Sequence, residues 1–538
     1  MKLSKKSVEN ERDKWLKSGY KLPEFDIDMM RERTRKEPSW VHFGAGNIFR
    51  AFPAVLCQRL LNRGETDRGI IVAEGYDYEI LENCFHKTDN LTLSVVLNSD
   101  GTVEKEVVAS VAEALALDFE NREDTARLEE IFSAKSLAMV SFTITEKGYS
   151  LKGAEGEYYG EVARDFEREP SQAKTYMGRL AALLHHRYKS GGYAVALVSM
   201  DNCAHNGDRL KSAVGDFARH WVKNGFADKG FESYIENSVS FPCTMIDKIT
   251  PRPFEEVQRL LERDGIEGIK PFETEKHTFA AAFVNAEAPQ YLVIEDDFPN
   301  SRIPLEKAGV IYTDRETVDR SERMKVCTCL NPLHTCLAIF GCLLGYDRIS
   351  DEMKDEQLSE LVKRVGHDEG LPVVDDPKII EPRRFLDEVL TKRFANSFIR
   401  DTPQRIACDT SQKLGVRFGE TIKRYAEVGK ADSLEYIPLV FAGWCRYLLG
   451  VDDEGNSFEP SPDPMLGYAV GIMNEIGFGC TDGEKIHGSI KKLLSDEKIF
   501  GVNLYDSGIG LKVEKYFGEM NKNPGAVRRA LEKYLQTG

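Results

Sequence analysis

Residues 39–64, SWVHFGAGNIFRAFPAVLCQRLLNRG, constrain the fold more than any other stretch. SWVHFGAG (39–46) reads as a buried strand that ends in glycines. NIFRAFPAVLCQRLLNRG follows with helical spacing and closes on Gly64, a residue suited to the position just past a helix end. A second short apolar strand, GIIVAEG (69–75), comes next. A strand, a tight glycine turn, a helix and another buried strand form a βαβ unit, and such units build mostly parallel sheets.

The alternation continues. LTLSVVLN and EKEVVASVAEAL read as an inserted pair of strands. SLAMVSFTITEKGY (136–149), the helical stretch AKTYMGRLAALLHHRYKSG and YAVALVSMDN (193–202) resume the pattern, and SVSFPCTMIDKITP (238–251) ends it. From about residue 320 the texture is mainly helical. The fold class expected is therefore α/β: a Rossmann-like, mostly parallel sheet domain over 1–290, then a mainly α-helical C-terminal domain over 291–538. The chain of 538 residues exceeds what one core usually organises. The active site is expected in the cleft between the two.

A net charge of −16 disfavours nucleic acid and anionic membrane as partners, because both need a basic face. The N-terminal MKLSKKSVENERDKW lacks an apolar h-region, and CLAIFGCLLGY near 336–346 is too short to span a bilayer. The 11 cysteines, an odd and scattered set, read as reduced thiols of a cytoplasmic protein.

Gly44 and Gly46 stand where a strand passes into a helix, the position at which free backbone N–H groups receive a dinucleotide pyrophosphate. The turn Gly44, Ala45, Gly46, Asn47, Ile48, Phe49, Arg50 is the expected cofactor-binding segment. The third small residue of the usual fingerprint is absent, since position 49 is phenylalanine; a tight turn of any α/β fold is the competing explanation. After the second strand, Glu74 and Asp77 offer carboxylates for the adenosine ribose, which favours NAD over NADP. Their distance from the turn exceeds the usual ~20 residues, and a solvated Glu74 is the alternative.

KVCTCLNPLHTC (325–336) resembles a metal or redox site at first sight. Cys327 and Cys329, two apart, point to nearly opposite sides of a helix, and no second cysteine pair matches them. No metal is expected. Asn331 and His334 are three apart and share a helix face, with Pro332 suited to a first helical turn. Lys325 approaches from the preceding segment. A lysine whose pKa is lowered by desolvation can act as a general base, an amide can stabilise an alkoxide, and an imidazole can orient a hydroxyl. An asparagine cap, a satisfied core histidine and a surface lysine account for the same residues equally well.

Several blocks in order, VHFGAGNIFRAF, VSFTITEKGY, SMDNCAHNG, FPCTMIDKITP, YLVIEDDFP, LNPLHT and CDTSQKLGVR, resemble the long-chain mannitol dehydrogenase family of polyol and sugar-acid dehydrogenases. The resemblance runs from about 39 to about 490. It implies metal-independent NAD(P) chemistry with Lys325 as base and Asn331 and His334 as partners. It also implies Asn202 as a second amide facing the alkoxide and Asp247 as a substrate hydroxyl acceptor. Arg405 and Lys413 become substrate-contacting cations, and Glu322 lines a proton path. Arg405 and Lys413 are eight apart, about two turns, and would share a face if the segment is helical; a solvated helix surface is the alternative. Five residues separate Lys325 from Asn331 where the family has four, and a helical bulge would absorb the extra one. CLNPLHT and the chain length most resemble members that interconvert a ketouronate and an aldonate; polyol and ketose are the alternative, and a non-catalytic nucleotide-binding protein the remoter one. The partner is a small sugar acid or polyol, and the assembly a monomer or homodimer.

Overall fold

A computed structural model describes residues 1–153 and 155–536. The chain forms two compact units, Met1–Leu97 with Gly101–Asp319, and the residues from Arg320 onward with Asn98–Asp100.

The first unit is built on a six-stranded sheet in which every neighbouring pair is parallel. Its spatial order is Val111–Ala116, Ile70–Glu74, Trp40–Phe43, Met139–Phe142, Val195–Ser199, Val239–Ser240. The central strands are buried along their whole length, as parallel strands covered on both faces must be. Val41, Phe43, Val140, Phe142 and Leu197 pack on one face against Leu128, Ile131, Leu180, Leu184, Phe217 and Trp221 of the covering helices. On the other face a polar ladder crosses two strands: Trp40 Nε1 donates to Ser141 Oγ at 2.7 Å, and His42 bridges Ser141 Oγ (2.7 Å) and Thr143 Oγ1 (2.8 Å). Full burial lowers the His42 pKa to about 3, so its imidazole is neutral.

The chain leaves Trp40–Phe43 toward Ile70–Glu74 on one side and later adds Met139–Phe142 on the other. Strand order therefore reverses at Trp40–Phe43, and the crevice at the carboxyl ends of such strands is where open α/β sheets bind ligands.

The expected inserted pair of strands is real in part. Thr92–Leu97 and Val103–Val108 form an antiparallel hairpin in a separate four-stranded sheet, whereas Val111–Ala116 joins the edge of the main sheet. The first unit also runs past 290 to Asp319. Tyr291–Glu295 pairs antiparallel with Thr244–Asp247, and Ile311–Thr313 pairs with Tyr291–Glu295, so both strands are drawn back into the sheet unit.

The second unit is helical. Tyr436–Tyr447 is buried at nearly every position and forms its axis. Glu369, in the π-helical turn Arg364–Gly370, caps it, accepting backbone N–H bonds from Tyr436 (2.8 Å) and Ile437 (2.7 Å). The run Arg315–Leu343 is apolar and long enough to cross a membrane by composition alone, but its most apolar window is 72% buried, so it is a core helix.

Candidate active site

The glycine turn sits at the carboxyl end of Trp40–Phe43. Gly44 has φ +104°, and a Cβ there would lie 2.3 Å from the Thr143 carbonyl, so only glycine lets the two strand ends approach. Beside Gly46 the space is open, with no heavy atom within 4 Å of where a Cβ would stand. The N–H groups at the start of Asn47–Ala51 border that opening, and the first N–H groups of a helix have no intrahelical partners. The residues present therefore fit a dinucleotide phosphate.

Glu74 does more than decorate the second strand. Its buried carboxylate accepts the Ala45 N–H at 2.7 Å and the Tyr76 N–H at 2.8 Å, which ties the end of one strand to the turn after its neighbour. Asp77 is buried and accepts from Thr274 Oγ1 at 2.7 Å, a tie within the unit. Phe49 and Arg50 also turn inward. Phe49 stacks on His42 with centroids 4.5 Å apart, and Arg50 donates to the Ala281 carbonyl and to Asn47 Oδ1, both at 2.7 Å.

Asn202 is exposed on the loop after Val195–Ser199, and Asp247 is the buried last residue of Thr244–Asp247. Asp201, beside Asn202, accepts the Ile144 and Thr145 N–H groups at 2.9 Å each and the Tyr149 hydroxyl at 2.5 Å. Thr145 is thereby held at φ +66°, a costly conformation for a β-branched residue. Asn206 closes the other side of the loop: its amide donates to the Asp201 carbonyl (2.9 Å) and its Oδ1 accepts the Thr244 N–H (2.9 Å).

In the second unit Lys325 is buried and opens a π-helical turn, Lys325–Cys329. The Leu330 N–H donates to the Lys325 carbonyl at 3.1 Å, so the turn holds one residue more than an α-helical one. The extra residue before Asn331 is absorbed here. Asn331 is the first residue of Asn331–Leu343, with Pro332 behind it and Leu330 in the capping position. Glu322, half-buried, precedes Lys325 on the helix Arg315–Met324. The Cys329 thiol is buried and reaches the Pro382 carbonyl at 3.7 Å, while Cys327 is half-buried. Among the described residues no group of three or more His, Cys, Asp or Glu side chains is placed to hold a metal ion.

His334 packs on the Phe394 ring, centroids 5.1 Å apart, with Nε2 3.7 Å from the Asp401 carboxylate. Burial lowers its pKa to about 4 against the pull of Asp401, so the imidazole is neutral at ordinary pH. Arg417, Arg405 and Arg393 lie near enough to add repulsion. Arg405 is exposed and pairs with Asp401. Lys413 is half-buried, with Nζ directed to the Ile406 (3.3 Å) and Cys408 carbonyls, and burial followed by Arg417 lowers its pKa. Arg405 and Lys413 do not share one helix: Pro403–Ala407 and Thr410–Glu427 are separate helices, because Asp409 takes a left-handed φ of +54° between them. The lysine side chain nevertheless folds back over the break.

Two family models match the chain. The mannitol dehydrogenase Rossmann domain covers residues 38–307, and the mannitol dehydrogenase C-terminal domain covers 317–534. The chain belongs to the mannitol dehydrogenase family. A D-mannonate oxidoreductase of Thermotoga maritima is 49% identical over 99% of both chains. A D-mannonate oxidoreductase of Escherichia coli is 29% identical over 81% of this chain and 85% of its own. Among solved structures, a ternary complex of Pseudomonas fluorescens mannitol 2-dehydrogenase with NAD and D-mannitol matches over 100% of both chains, with a TM-score of 0.70 and 26% identity.

Within this family frame, several residues at the site escaped sequence reasoning. Asp201 and Asn206 lie beside Asn202 in SMDNCAHN, but their partners at 144, 145 and 244 are far away in sequence. Arg417 is the clearest omission. It lies four residues beyond Lys413, one helical turn, and that spacing was the available signal.

Proposed function

We propose that the chain is a D-mannonate oxidoreductase, interconverting D-mannonate and D-fructuronate with NAD. The full-length 49% identity to a relative of that name carries the reading. The charge around His334 supports it: Arg417, Arg405 and Arg393 all lie close enough to act on its ring, as a site for an anionic substrate requires.

The glycine turn Gly44–Ile48 and Glu74 are the residues that would hold the dinucleotide, with Phe49, Arg50 and Asp77 as supports behind them. Bound NAD supplies the hydride acceptor. NAD is preferred over NADP because the buried Glu74 carboxylate would repel a further phosphate.

In the oxidative direction the carbinol C–H leaves as hydride and the O–H proton passes to Lys325 Nζ, leaving a ketone. Lys325 is the base because His334, with its pKa lowered to about 4, is a poor proton acceptor at neutral pH. The neutral His334 ring instead donates a hydrogen bond that orients the substrate. Asn331 and Asn202 donate amide N–H bonds to the oxygen as charge develops on it. Glu322, preceding Lys325 on the adjoining helix, relays the proton outward. Asp247 accepts a substrate hydroxyl, and Arg405 and Lys413 contact the substrate as cations. The 11 free cysteines suit a reducing, cytoplasmic setting.

The test is NADH oxidation with D-fructuronate, D-tagaturonate and D-fructose. D-Fructuronate should give the highest kcat/KM. A higher value with D-fructose would move the chain to the polyol dehydrogenases.

A further inference from the structure

We propose that Arg417 selects a sugar acid over a neutral sugar at this site, its guanidinium receiving the substrate carboxylate. The inference rests on the ketouronate reading above and assigns its specificity to one side chain.

Arg417 docks on the first turn of the helix that carries Asn331 and His334. Its Nη1 donates to the Thr335 hydroxyl and, at 3.4 Å, to the Asn331 carbonyl, and the Thr335 hydroxyl donates to that same carbonyl at 2.9 Å. The guanidinium is thus fixed beside two residues of the proposed chemistry by neutral partners alone.

The charge balance of the other cations differs. Arg405 is exposed and already paired with Asp401. Lys413 also donates to two backbone carbonyls, so part of its hydrogen-bonding capacity is already used. Among the described residues no carboxylate pairs with Arg417, and burial alone accounts for the lowering of its pKa to about 10. A half-buried cation without a counterion is expensive to keep, and Thr335 uses one edge of the fork only. The edge left over matches a carboxylate, which takes two parallel N–H bonds from a guanidinium. A CH₂OH group at the same substrate terminus satisfies one N–H at most and leaves the charge unbalanced.

D-Fructuronate and D-fructose differ in this one terminus, so the ratio of their kcat/KM values reads the contact directly. Each hydrogen bond to a charged group is worth a factor of about 10 to 150. Arg417→Met should lower the fructuronate-to-fructose ratio about 100-fold or more, chiefly through the fructuronate KM, with the NADH KM little changed. Arg417→Lys, which keeps the charge and loses the fork, should lower the ratio about tenfold, and it decides the matter if the methionine variant fails to fold. Guanidinium ion should restore fructuronate reduction by Arg417→Met and leave fructose reduction unaffected. A structural role would depress both substrates alike, so an unchanged ratio in either folded variant overturns the assignment and leaves the ketouronate reading intact. A wild-type preference for D-fructose overturns that reading and this inference together.

Discussion

The Leu330 N–H donates to the Lys325 carbonyl at 3.1 Å across five residues, and this bond sets where Lys325 points relative to Asn331. An α-helical turn would close four residues on and rotate the lysine by about 100°. Deleting Cys327, half-buried and outside the proposed chemistry, should convert the turn to α-helical form. The expected result is at least a 100-fold loss in kcat/KM, with native helix content by circular dichroism and unchanged NADH binding. Full activity in the deletion variant would show that the register of Lys325 is immaterial.

The cofactor preference can be tested at Glu74. Its buried carboxylate sits against the glycine turn through the Ala45 N–H. Placing a phosphate near such a charge costs at least about 1.4 kcal/mol, so NADH should be favoured over NADPH tenfold or more. Glu74→Gln should shrink that margin. Equal kcat/KM for both cofactors in the wild type would remove Glu74 as the discriminator.

The loop bearing Asn202 depends on Asp201. Removing its carboxylate strands the Ile144 and Thr145 N–H groups and the Tyr149 hydroxyl, while Thr145 keeps its unfavourable φ. Asp201→Ala should cost about 3 kcal/mol or more in unfolding free energy, measured by urea titration. A loss below 1 kcal/mol, on that same scale, would mean that the loop is held by other contacts.

These results show which features can be read from a sequence. The Gly44–Gly46 turn and its strands were legible because period and turn chemistry are local. The need for a bulge near Lys325 was visible only by comparison with the four-residue spacing of the family that the sequence resembles. Glu74 was visible as an acid after a strand, but its bond to Ala45 was not, because that bond joins neighbours in the sheet 29 residues apart. The end of the first unit was misplaced near 290 because Tyr291–Glu295 and Ile311–Thr313 gain their identity only by pairing. Arg417 reads as one more charge on an amphipathic helix until Thr335 and Asn331 are seen beneath it.

Glu352 yields a pH prediction. Its side chain is fully buried, neither carboxyl oxygen has a hydrogen-bond partner, and burial raises its pKa to about 10. The folded protein therefore binds this proton more tightly than the unfolded chain, whose glutamate titrates near 4.5. Folding stability contributed through Glu352 is greatest below 4.5 and declines as pH rises toward about 10. Glu352→Gln removes the titration, so its stability relative to wild type should improve steadily across that window in thermal melts. A constant difference would mean that Glu352 ionises in the folded state as freely as in water.

The assignment of the base gives the last prediction. In this segment only Lys325 and His334 can accept a proton, and His334 is disfavoured because burial lowers its pKa to about 4. The same shift fixes the sign of its effect on stability: the contribution is present above 6.5 and lost as pH falls toward about 4. His334→Gln should therefore reduce D-mannonate oxidation through substrate orientation while leaving the pH midpoint of kcat/KM in place. Lys325→Ala should lower kcat/KM by about 10²–10⁴-fold and abolish that midpoint, since a positioned base is worth that much. NADH binding should be unaffected, because the proposed dinucleotide-binding residues belong to the other unit. A small primary amine should restore part of the lost rate, its free base entering the volume that the buried lysine side chain vacates. Should Lys325→Ala keep near wild-type rates while His334→Gln removes the pH midpoint, the two residues exchange roles, and the π-helical turn has carried the lysine out of the chemistry.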